Sequence, residues 1–283
     1  MMLAVSVLLS GCGLALRIGY SQGASLAFRW LDGYVGVRRR ADRCAFASPS
    51  TNGSSGIAGP SCPTMPTCWR GRQAELPGSA TAERMCAWSN DLRARFDAAI
   101  EHAVPAMAEI MPTLSAQQIA SIEKRYAARN DEYRDDFLHR DPAKRKKAAT
   151  QREIERAEEF YGRLDDAQRA FVVRAIAESP WDGDMAYAER LRRQQDLLAI
   201  VRRLAANRAS PAEAEAEVRG YLKRIERSPQ EAYRRYLARL VDYNCVYAAA
   251  LHNLTTAEQR QKAAKKLKGY EDELRALAGE SPS

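Results

Sequence analysis

Apolar residues recur every three or four positions along most of the chain after residue 80, with polar residues between them. This spacing places the apolar side chains on one face of an α-helix, and no segment of this region alternates with the period of two that a strand shows. The periodic segments open at residues that cap helix N-termini, which are Thr81, Ser115, Asp141, Asp165, Asp184, Ser210, Ser228 and Thr256. Residues 80–279 are therefore predicted to form an all-α domain, an antiparallel multi-helix bundle in which each helix buries one apolar stripe.

The first predicted helix shows the pattern in detail. It starts at Thr81 and carries apolar residues at helical spacing, and we expect it to end near Pro105. Its expected buried face consists of Met85, Leu92, Phe96 and Ile100.

The chain starts with a short apolar run that closes in Leu9-Ser10-Gly11-Cys12. A hydrophobic stretch, small residues and then a cysteine form the pattern of a bacterial lipoprotein signal, in which the cysteine becomes the acylated N-terminus. Residues 1–11 are therefore predicted to be a signal peptide, Cys12 the lipidation site and residues 12–36 an anchor segment. No Lys or Arg precedes the apolar run, although a secretory signal normally starts with basic residues, so Met1-Met2 is also compatible with an internal start. The alternative to a signal peptide is a buried N-terminal helix or strand.

The predicted location determines which partners we expect. Gly13 rather than Asp follows the cysteine, and resemblance to Gram-negative lipoproteins then implies lipid anchoring at the periplasmic face of the outer membrane. The net charge of +8 would there meet anionic lipid, lipopolysaccharide or an acidic envelope protein. No nucleic-acid partner is expected, because an exported protein meets little nucleic acid and no basic patch is interleaved with aromatic residues.

Residues 37–79 break the pattern of the rest of the chain. No leucine occurs between Leu31 and Leu76, while Ser, Pro, Gly, Thr and Cys are frequent. One interpretation is a disordered linker. The other is a slip of the reading frame that begins between residues 36 and 44. This interpretation can be tested by translating residues 50–70 back into ordinary GC-rich codons and reading them in the shifted frame, in which each new codon is the last base of one codon plus the first two bases of the next. The shifted frame reads HEWFQWHRRTQLPDYADLLAR, which has the pattern of an amphipathic helix.

The cysteines divide into two groups. Cys12 is the predicted acylation site, and three further cysteines lie in residues 37–72, where a frame slip would make them accidental. Cys86 and Cys245 remain, and in an oxidising periplasm they form a candidate disulfide between the first and the penultimate helix. The alternative is two separate buried thiols.

Candidate surfaces for binding are of two kinds. Tyr20, Trp30 and Tyr34 lie just after the anchor and are candidates for an exposed patch, with core packing as the alternative. Clusters of Lys and Arg form the second kind, and we expect most of them to be ordinary solvated helix faces with partners one turn away. One such face could still meet anionic lipid. These clusters are residues 144–147, 192–193, 202–203 and 265–268.

The sequence contains no motif that supports catalysis. There is no GxSxG, no P-loop and no GxGxxG followed by a helix. His102, His139 and His252 are isolated, without Cys or Asp at ligand spacing. The sequence therefore predicts no enzyme, no cofactor and no metal site.

Three helix starts share a short motif with a leucine, a capping residue and a glutamine. The first two resemble the LTxxQ signature of small periplasmic chaperones of the Spy kind, although generic helix capping explains the same residues. The three copies are Leu114-Ser115-Ala116-Gln117-Gln118, Leu164-Asp165-Asp166-Ala167-Gln168 and Leu254-Thr255-Thr256-Ala257-Glu258-Gln259.

The lipoprotein signal and several stretches together resemble an uncharacterised family of Gram-negative bacterial helical lipoproteins. The resemblance covers residues 3–35 and 73–279, while residues 37–72 depart from it. It implies an all-helical lipoprotein without an assigned activity, so no catalytic residue is carried over. We therefore expect an interaction or envelope-maintenance module, with a periplasmic stress-type chaperone as the alternative. The stretches are Arg17-Ile18-Gly19-Tyr20, Trp30-Leu31-Asp32-Gly33-Tyr34, Glu132-Tyr133-Arg134-Asp135-Asp136-Phe137, Glu189-Arg190-Leu191-Arg192-Arg193-Gln194-Gln195 and Leu251-His252-Asn253.

Overall fold

The computed structural model describes residues 77–277, and these residues form α-helices joined by short connections, with no strand among them. The prediction of an all-α helical bundle is confirmed. The helices are α1 (Ala82–Ile110), α2 (Ala116–Phe137), α3 (Pro142–Tyr161), α4 (Asp166–Glu178), α5 (Gly183–Asn207), α6 (Pro211–Glu226), α7 (Glu231–Leu254) and α8 (Ala257–Leu277).

Residues 79–260 form one compact unit, and the end of α8 after Arg260 belongs to a second unit. Within the first unit α1 packs along both α6 and α7, α3 packs on α4, and α5 packs on α2 and on the short 3-10 turn Met111–Thr113 that follows α1. None of the described helices combines the length and the hydropathy that crossing a bilayer requires.

Most helices begin at the predicted capping residue. The hydroxyl of Ser115 accepts a hydrogen bond from the Gln118 backbone N–H, and Ser210 and Glu213 form the same reciprocal capping box at α6. These caps use N–H groups that would otherwise have no partner in the first turn. The predicted starts that the structure reproduces are Thr81, Ser115, Asp141, Asp165, Ser210 and Thr256.

Two predicted helix starts are wrong by two residues. Helix α5 is capped by Asp182, whose carboxylate accepts from the Met185 N–H at 2.9 Å, while Asp184 lies in the first turn. Helix α7 begins after Gln230 rather than at Ser228. The hydroxyl of Ser228 instead donates a hydrogen bond to Glu189, 39 residues earlier. The side chain that was predicted to cap α7 therefore makes a tertiary contact.

The predicted end of α1 near Pro105 is also wrong. The helix continues through Pro105 to Ile110, with Val104 and Ala108 at 0% and 1% exposure on either side of the proline. Burial of this turn offsets the hydrogen bond that proline removes from a helix interior. The predicted buried face of α1 is wrong at Ile100, which was expected to face inward and is 41% exposed.

Two clusters of buried apolar residues hold the described bundle together. One joins α3, α4 and α7 and is centred on Val172, which is completely buried. The other joins α1, α5 and α6, where the small side chains of Ala108 and Ala214 allow close approach of the helices. The first cluster contains Ile154, Ala157, Leu164, Val172 and Leu251, and the second contains Ala108, Ile200, Leu204 and Ala214.

Two residues have left-handed backbone conformations at helix ends. Gly162, after α3, has φ 75° and ψ −168°, a region that is essentially restricted to glycine, whereas Arg208, after α5, has φ 47° and ψ 49°. We expect Gly162→Ala to lower the free energy of unfolding by about 1–3 kcal/mol and Arg208→Gly to raise it by up to about 1 kcal/mol. Urea denaturation measures both, and shifts in the same direction would contradict the argument.

Candidate functional site

The carboxylate of Glu189 on α5 is almost completely buried, with 4% of the residue exposed. Arg192 donates two hydrogen bonds to it, from Nε to Oε2 and from Nη2 to Oε1, both at 2.8 Å. Arg193 donates from Nε to Oε1 at 2.8 Å, and the Ser228 hydroxyl donates to Oε2 at 2.9 Å. Each carboxylate oxygen therefore accepts two hydrogen bonds, which compensates for its removal from water.

A second carboxylate extends this cluster along α5. Asp196 accepts hydrogen bonds from Nε and Nη2 of Arg224 on α6, at 2.9 and 3.0 Å, and a longer one of 3.5 Å from Arg192. The hydrogen bonds from Arg224 hold the pKa of Asp196 below its usual value. Arg192 therefore contacts both carboxylates. We call Glu189, Arg192, Arg193, Asp196, Arg224 and Ser228 the arginine–carboxylate network.

The arginines of this network also close the end of α6. Arg192 Nη2 donates to the carbonyl oxygen of Arg224 at 3.3 Å, and Arg193 Nη2 donates to that of Ile225 at 3.1 Å. Carbonyls in the last turn of a helix have no partner within the helix, so these bonds replace water. The arginine–carboxylate network thus joins α5, the end of α6 and the loop before α7.

The ionisation of Glu189 favours a structural role. Burial by itself would raise the pKa of Glu189, but the hydrogen bonds from Arg192, Arg193 and Ser228 outweigh it, and the pKa lies below its ordinary value. The carboxylate is therefore ionised at neutral pH and is a weak base. Such a group is poorly suited to take a proton from a substrate.

The prediction that residues 192–193 form a solvated face is wrong, because both side chains are only 19% exposed. The sequence showed that acidic residues lie one turn away, but not that α6 and the α6–α7 loop cover them. Residues 202–203 are exposed as predicted, with both arginine side chains about half exposed, but their partners are not one turn away. Arg202 pairs with Glu123 on α2, and Arg203 pairs with Glu217 on α6 at 2.6 Å.

Two of the three leucine-to-glutamine motifs contact each other. Gln168 at the start of α4 and Gln259 at the start of α8 exchange hydrogen bonds between their amides, at 2.8 and 3.0 Å. Each also accepts a hydrogen bond from the backbone N–H of its own capping residue, Asp165 or Thr256. Gln168 further donates to the carbonyl of Leu254 at 3.0 Å.

The glutamine pair therefore does more than cap two helices, because it also joins helix starts that are 91 residues apart. Gln259 donates in addition to the carbonyl of Arg163 at 2.9 Å, and the two glutamine residues are 2% and 7% exposed. The third copy of the motif, at Gln118, caps α2 on its own.

Replacing the two glutamines tests this coupling. We expect Gln168→Leu and Gln259→Leu each to lower the free energy of unfolding by about 1–3 kcal/mol, because each leaves buried polar groups without partners. The free energy of unfolding of the double variant should fall by less than the sum of the two single losses, with a coupling free energy of about 0.5–3 kcal/mol. Gln118→Leu is the matched control, because Gln118 caps α2 without contacting a second glutamine of this kind. If the losses of stability from Gln168→Leu and Gln259→Leu are additive, the two amides act only as separate caps.

Two contacts tie the start of α1 to α7. Cys86 and Cys245, the pair that the sequence indicated as a candidate bridge, form a disulfide with Cα atoms 5.3 Å apart. The side chain of Asn253 makes two hydrogen bonds of 2.8 Å with the backbone N–H and carbonyl of Ala80. The segment that leads into α1 is thereby held at two points along α7.

Aromatic rings alternate with arginines where α2 and α5 meet. Tyr133 stacks on Tyr187 with ring centroids 5.5 Å apart and lies 4.8 Å from the ring of Phe137. The guanidinium of Arg190 lies 5.3 Å from the Tyr133 ring, and that of Arg152 lies 4.5 Å from the Phe137 ring. We call these five residues the aromatic–arginine surface.

Trp181 lies at the edge of the aromatic–arginine surface and is 41% exposed. A Cβ on Gly183 would lie 3.5 Å from the carbonyl oxygen of Phe137 and 3.6 Å from Trp181 Nε1, so the indole and the end of α2 meet at this glycine. This surface was not predicted from the sequence. Its rings come from helices about 50 residues apart, and no local pattern brings them together.

The three histidines occupy different places. His102 is exposed on α1, and His139 accepts a hydrogen bond on Nδ1 from the Asp141 N–H at 3.0 Å. His252 is 1% exposed, and its Nδ1 is joined to the hydroxyl of Tyr161 at 2.9 Å. Burial raises the pKa of Tyr161 to about 12, so this hydroxyl stays protonated at neutral pH.

Residues 77–277 contain no group of three or more His, Cys, Asp or Glu side chains that could hold a metal ion. A shallow depression of about 460 Å³ lies between α5 and α6, and Arg203 and Glu217 in its lining form an ion pair. Several predicted features lie outside the described residues, namely the signal peptide, Cys12, the anchor segment with Tyr20, Trp30 and Tyr34, and the frame slip in residues 37–72.

The structure thus defines an all-α protein whose buried polar groups join helices to each other. Comparison with known protein families, with characterised proteins and with solved structures finds no match.

Proposed function

We propose that this chain is an outer-membrane lipoprotein, held by acyl chains on Cys12, whose helical domain is an interaction or envelope-maintenance module in the periplasm. The observation that carries the proposal is the pattern Leu9-Ser10-Gly11-Cys12 after an apolar run. No catalytic step is part of the proposal.

The disulfide supports an exported protein. Disulfides persist in oxidising compartments such as the bacterial periplasm and are rare in the reducing cytosol. Cys86 and Cys245 are 159 residues apart in sequence and meet in the folded bundle, with Cys245 only 5% exposed. A long-range bridge of this kind suits a domain that folds after export.

The distribution of polar and aromatic residues supports an interaction role. The most buried carboxylate described above, Glu189, is neutralised by arginines that close a helix end. The aromatic–arginine surface, with Trp181 exposed at its edge, has the residue types that are enriched at protein–protein contacts. We propose this surface as the place where the domain meets an envelope protein.

Metabolic labelling tests the anchor. Cells that express the full chain are grown with an alkyne-bearing palmitate, and the purified protein is examined for label. We expect label on the wild type and none on Cys12→Ser. A variant with both Cys86 and Cys245 replaced by alanine should keep the label, because these two residues are joined in a disulfide and carry no acyl chain. A wild-type protein without label would remove both the anchor and the proposed location.

Photo-crosslinking tests the contact surface. A photoreactive phenylalanine analogue in place of Trp181 should capture one recurrent envelope protein in cells. The same analogue in place of Val246, which is 57% exposed on α7, is the control for nonspecific capture. Identical products from the two positions, or none from Trp181, would contradict the role of this surface.

A periplasmic stress-type chaperone is the second candidate. The observation that favours it is the reciprocal pair of Gln168 and Gln259, since Gln168 ends a motif that resembles the LTxxQ signature and its amide joins that motif to the start of α8. A chaperone should suppress aggregation of a denatured client at a near-stoichiometric ratio, which light scattering measures. Absence of suppression at several ratios would remove this candidate and leave the lipoprotein proposal intact.

A further inference from the structure

The four consecutive cations of residues 144–147 differ from the other basic clusters in having no carboxylate partner. The side chains of Lys144, Lys146 and Lys147 are exposed and that of Arg145 is half-buried. In the part of the chain that the structure describes, none of the four takes part in an ion pair. Each of the other three clusters contains arginines or lysines that pair with carboxylates. These pairs are residues 192–193 with Glu189, Arg202 with Glu123, Arg203 with Glu217, and Lys268 with Asp272.

The charges of α3 run against the dipole of the helix. Residues 142–152 contain five cations and no carboxylate, while residues 153–161 contain four carboxylates and one cation. A helix is stabilised by negative charge near its N-terminus and positive charge near its C-terminus. Apart from the capping carboxylate of Asp141, the observed order is therefore unfavourable at both ends. The stability of α3 therefore does not explain why the cations lie there.

We infer that Arg140 and residues 144–147, which we call the basic corner, bind the phosphate-bearing surface of an anionic membrane. This inference rests on the proposed function, because it assigns a partner to the anchored domain. The segment from residue 140 to 147 contains five cations and one carboxylate, a net charge of +4. Clusters of four to eight Lys and Arg residues that reach a membrane surface are attracted to anionic headgroups.

The residue types of the basic corner fit a lipid surface better than a structured ligand. Three of the five cations are lysines, whose flexible point charges suit a diffuse layer of phosphates. Residues 140–147 contain no aromatic side chain on which a nucleic-acid base could stack. An acyl anchor would keep the basic corner close to headgroups, so even a weak attraction is effective.

Vesicle binding by the full chain tests the inference. Cys12→Ser removes the acyl chains, so that only the protein surface acts. Co-sedimentation is then compared between vesicles of phosphatidylethanolamine with phosphatidylglycerol and vesicles of phosphatidylcholine alone. We expect binding to the anionic vesicles only, and a loss on the order of 10³-fold when Lys144, Arg145, Lys146 and Lys147 are all replaced by glutamine.

A matched variant separates the basic corner from the net charge. Replacement of Arg202, Arg203, Arg219 and Arg235, which are exposed and lie outside the basic corner, by glutamine removes the same four charges. This variant should keep binding within about threefold, because screening at about 0.1 M salt limits the reach of each exposed charge to about 10 Å. Equal losses in the two variants would overturn the inference, and so would equal binding to both kinds of vesicle.

Two further outcomes would also overturn the inference that the basic corner binds an anionic membrane. Displacement from vesicles by an equal concentration of inorganic phosphate would assign the basic corner to a free anion. Tighter binding to single-stranded RNA than to anionic vesicles would assign it to a nucleic acid. Because palmitate labelling of Cys12 does not depend on α3, these results leave the test of the anchor unaffected.

Discussion

Simultaneous replacement of Cys86 and Cys245 by alanine is expected to lower the free energy of unfolding by about 3–5 kcal/mol. The disulfide joins residues that are 159 positions apart, and closure of so long a loop removes much conformational freedom from the unfolded chain. The bridge also holds the start of α1 on α7, beside the hydrogen bonds between Asn253 and Ala80. The double replacement avoids a free thiol that could pair with another cysteine.

Urea unfolding in the presence and absence of a thiol reductant measures this effect. The reductant should shift the wild-type transition to that of the double variant and should leave the double variant unchanged. Asn253→Ala removes the neighbouring contact without touching the bridge and should cost about 1 kcal/mol per hydrogen bond lost. A reduced wild type as stable as the oxidised protein would show that the bridge adds no stability.

The second large effect is expected at Glu189. Glu189→Ala should lower the free energy of unfolding by about 3–5 kcal/mol, because Arg192 and Arg193 would then lack their carboxylate in a site that is 4% exposed. Glu189→Gln keeps the shape and one acceptor oxygen, so it should cost less, about 1–3 kcal/mol. Unfolding by urea at neutral pH measures both variants.

An exposed ion pair offers the matched control. Glu231 pairs with Arg235 one turn along α7, and both side chains are 67% exposed. Glu231→Ala removes a carboxylate from an arginine in the same way, but water replaces the contact, so the loss should stay below about 0.5 kcal/mol. Similar losses at Glu189 and Glu231 would contradict the importance of burial.

The dependence on pH follows from the lowered pKa of Glu189. The pKa in the folded state lies below that in the unfolded chain, so the stabilisation is fully present above about pH 4.3 and is lost as the pH falls through the folded value. Asp196 acts in the same direction, because Arg224 lowers its pKa. The difference in stability between the wild type and Glu189→Gln should therefore shrink in acid, and a constant difference down to pH 3 would contradict the lowered pKa.

Local sequence patterns predicted the helices well because a helix is determined by residues within a few positions of each other. Apolar spacing and capping residues identified the start of α1, α2, α3, α4, α6 and α8 to the residue. The two starts that were wrong, at α5 and α7, show the limit of this reasoning. The Ser228 hydroxyl donates to Glu189 on another helix and accepts from the Gln230 N–H, so it lies in the loop before α7, and the sequence near Ser228 contains no sign of the contact with Glu189.

The sequence by itself therefore determined the fold class, most of the helix starts and a pair of cysteines that could bridge. Only the tertiary structure decided that Glu189 is buried among arginines and that Gln168 and Gln259 join two helix starts. It also decided that, within the described residues, residues 144–147 form no ion pair with a carboxylate, in contrast to the other three basic clusters. The physical reason is distance along the chain. Helix formation depends on neighbours three or four residues away, whereas Ser228 and Gln259 meet Glu189 and Gln168, which lie 39 and 91 residues earlier, only when the bundle packs.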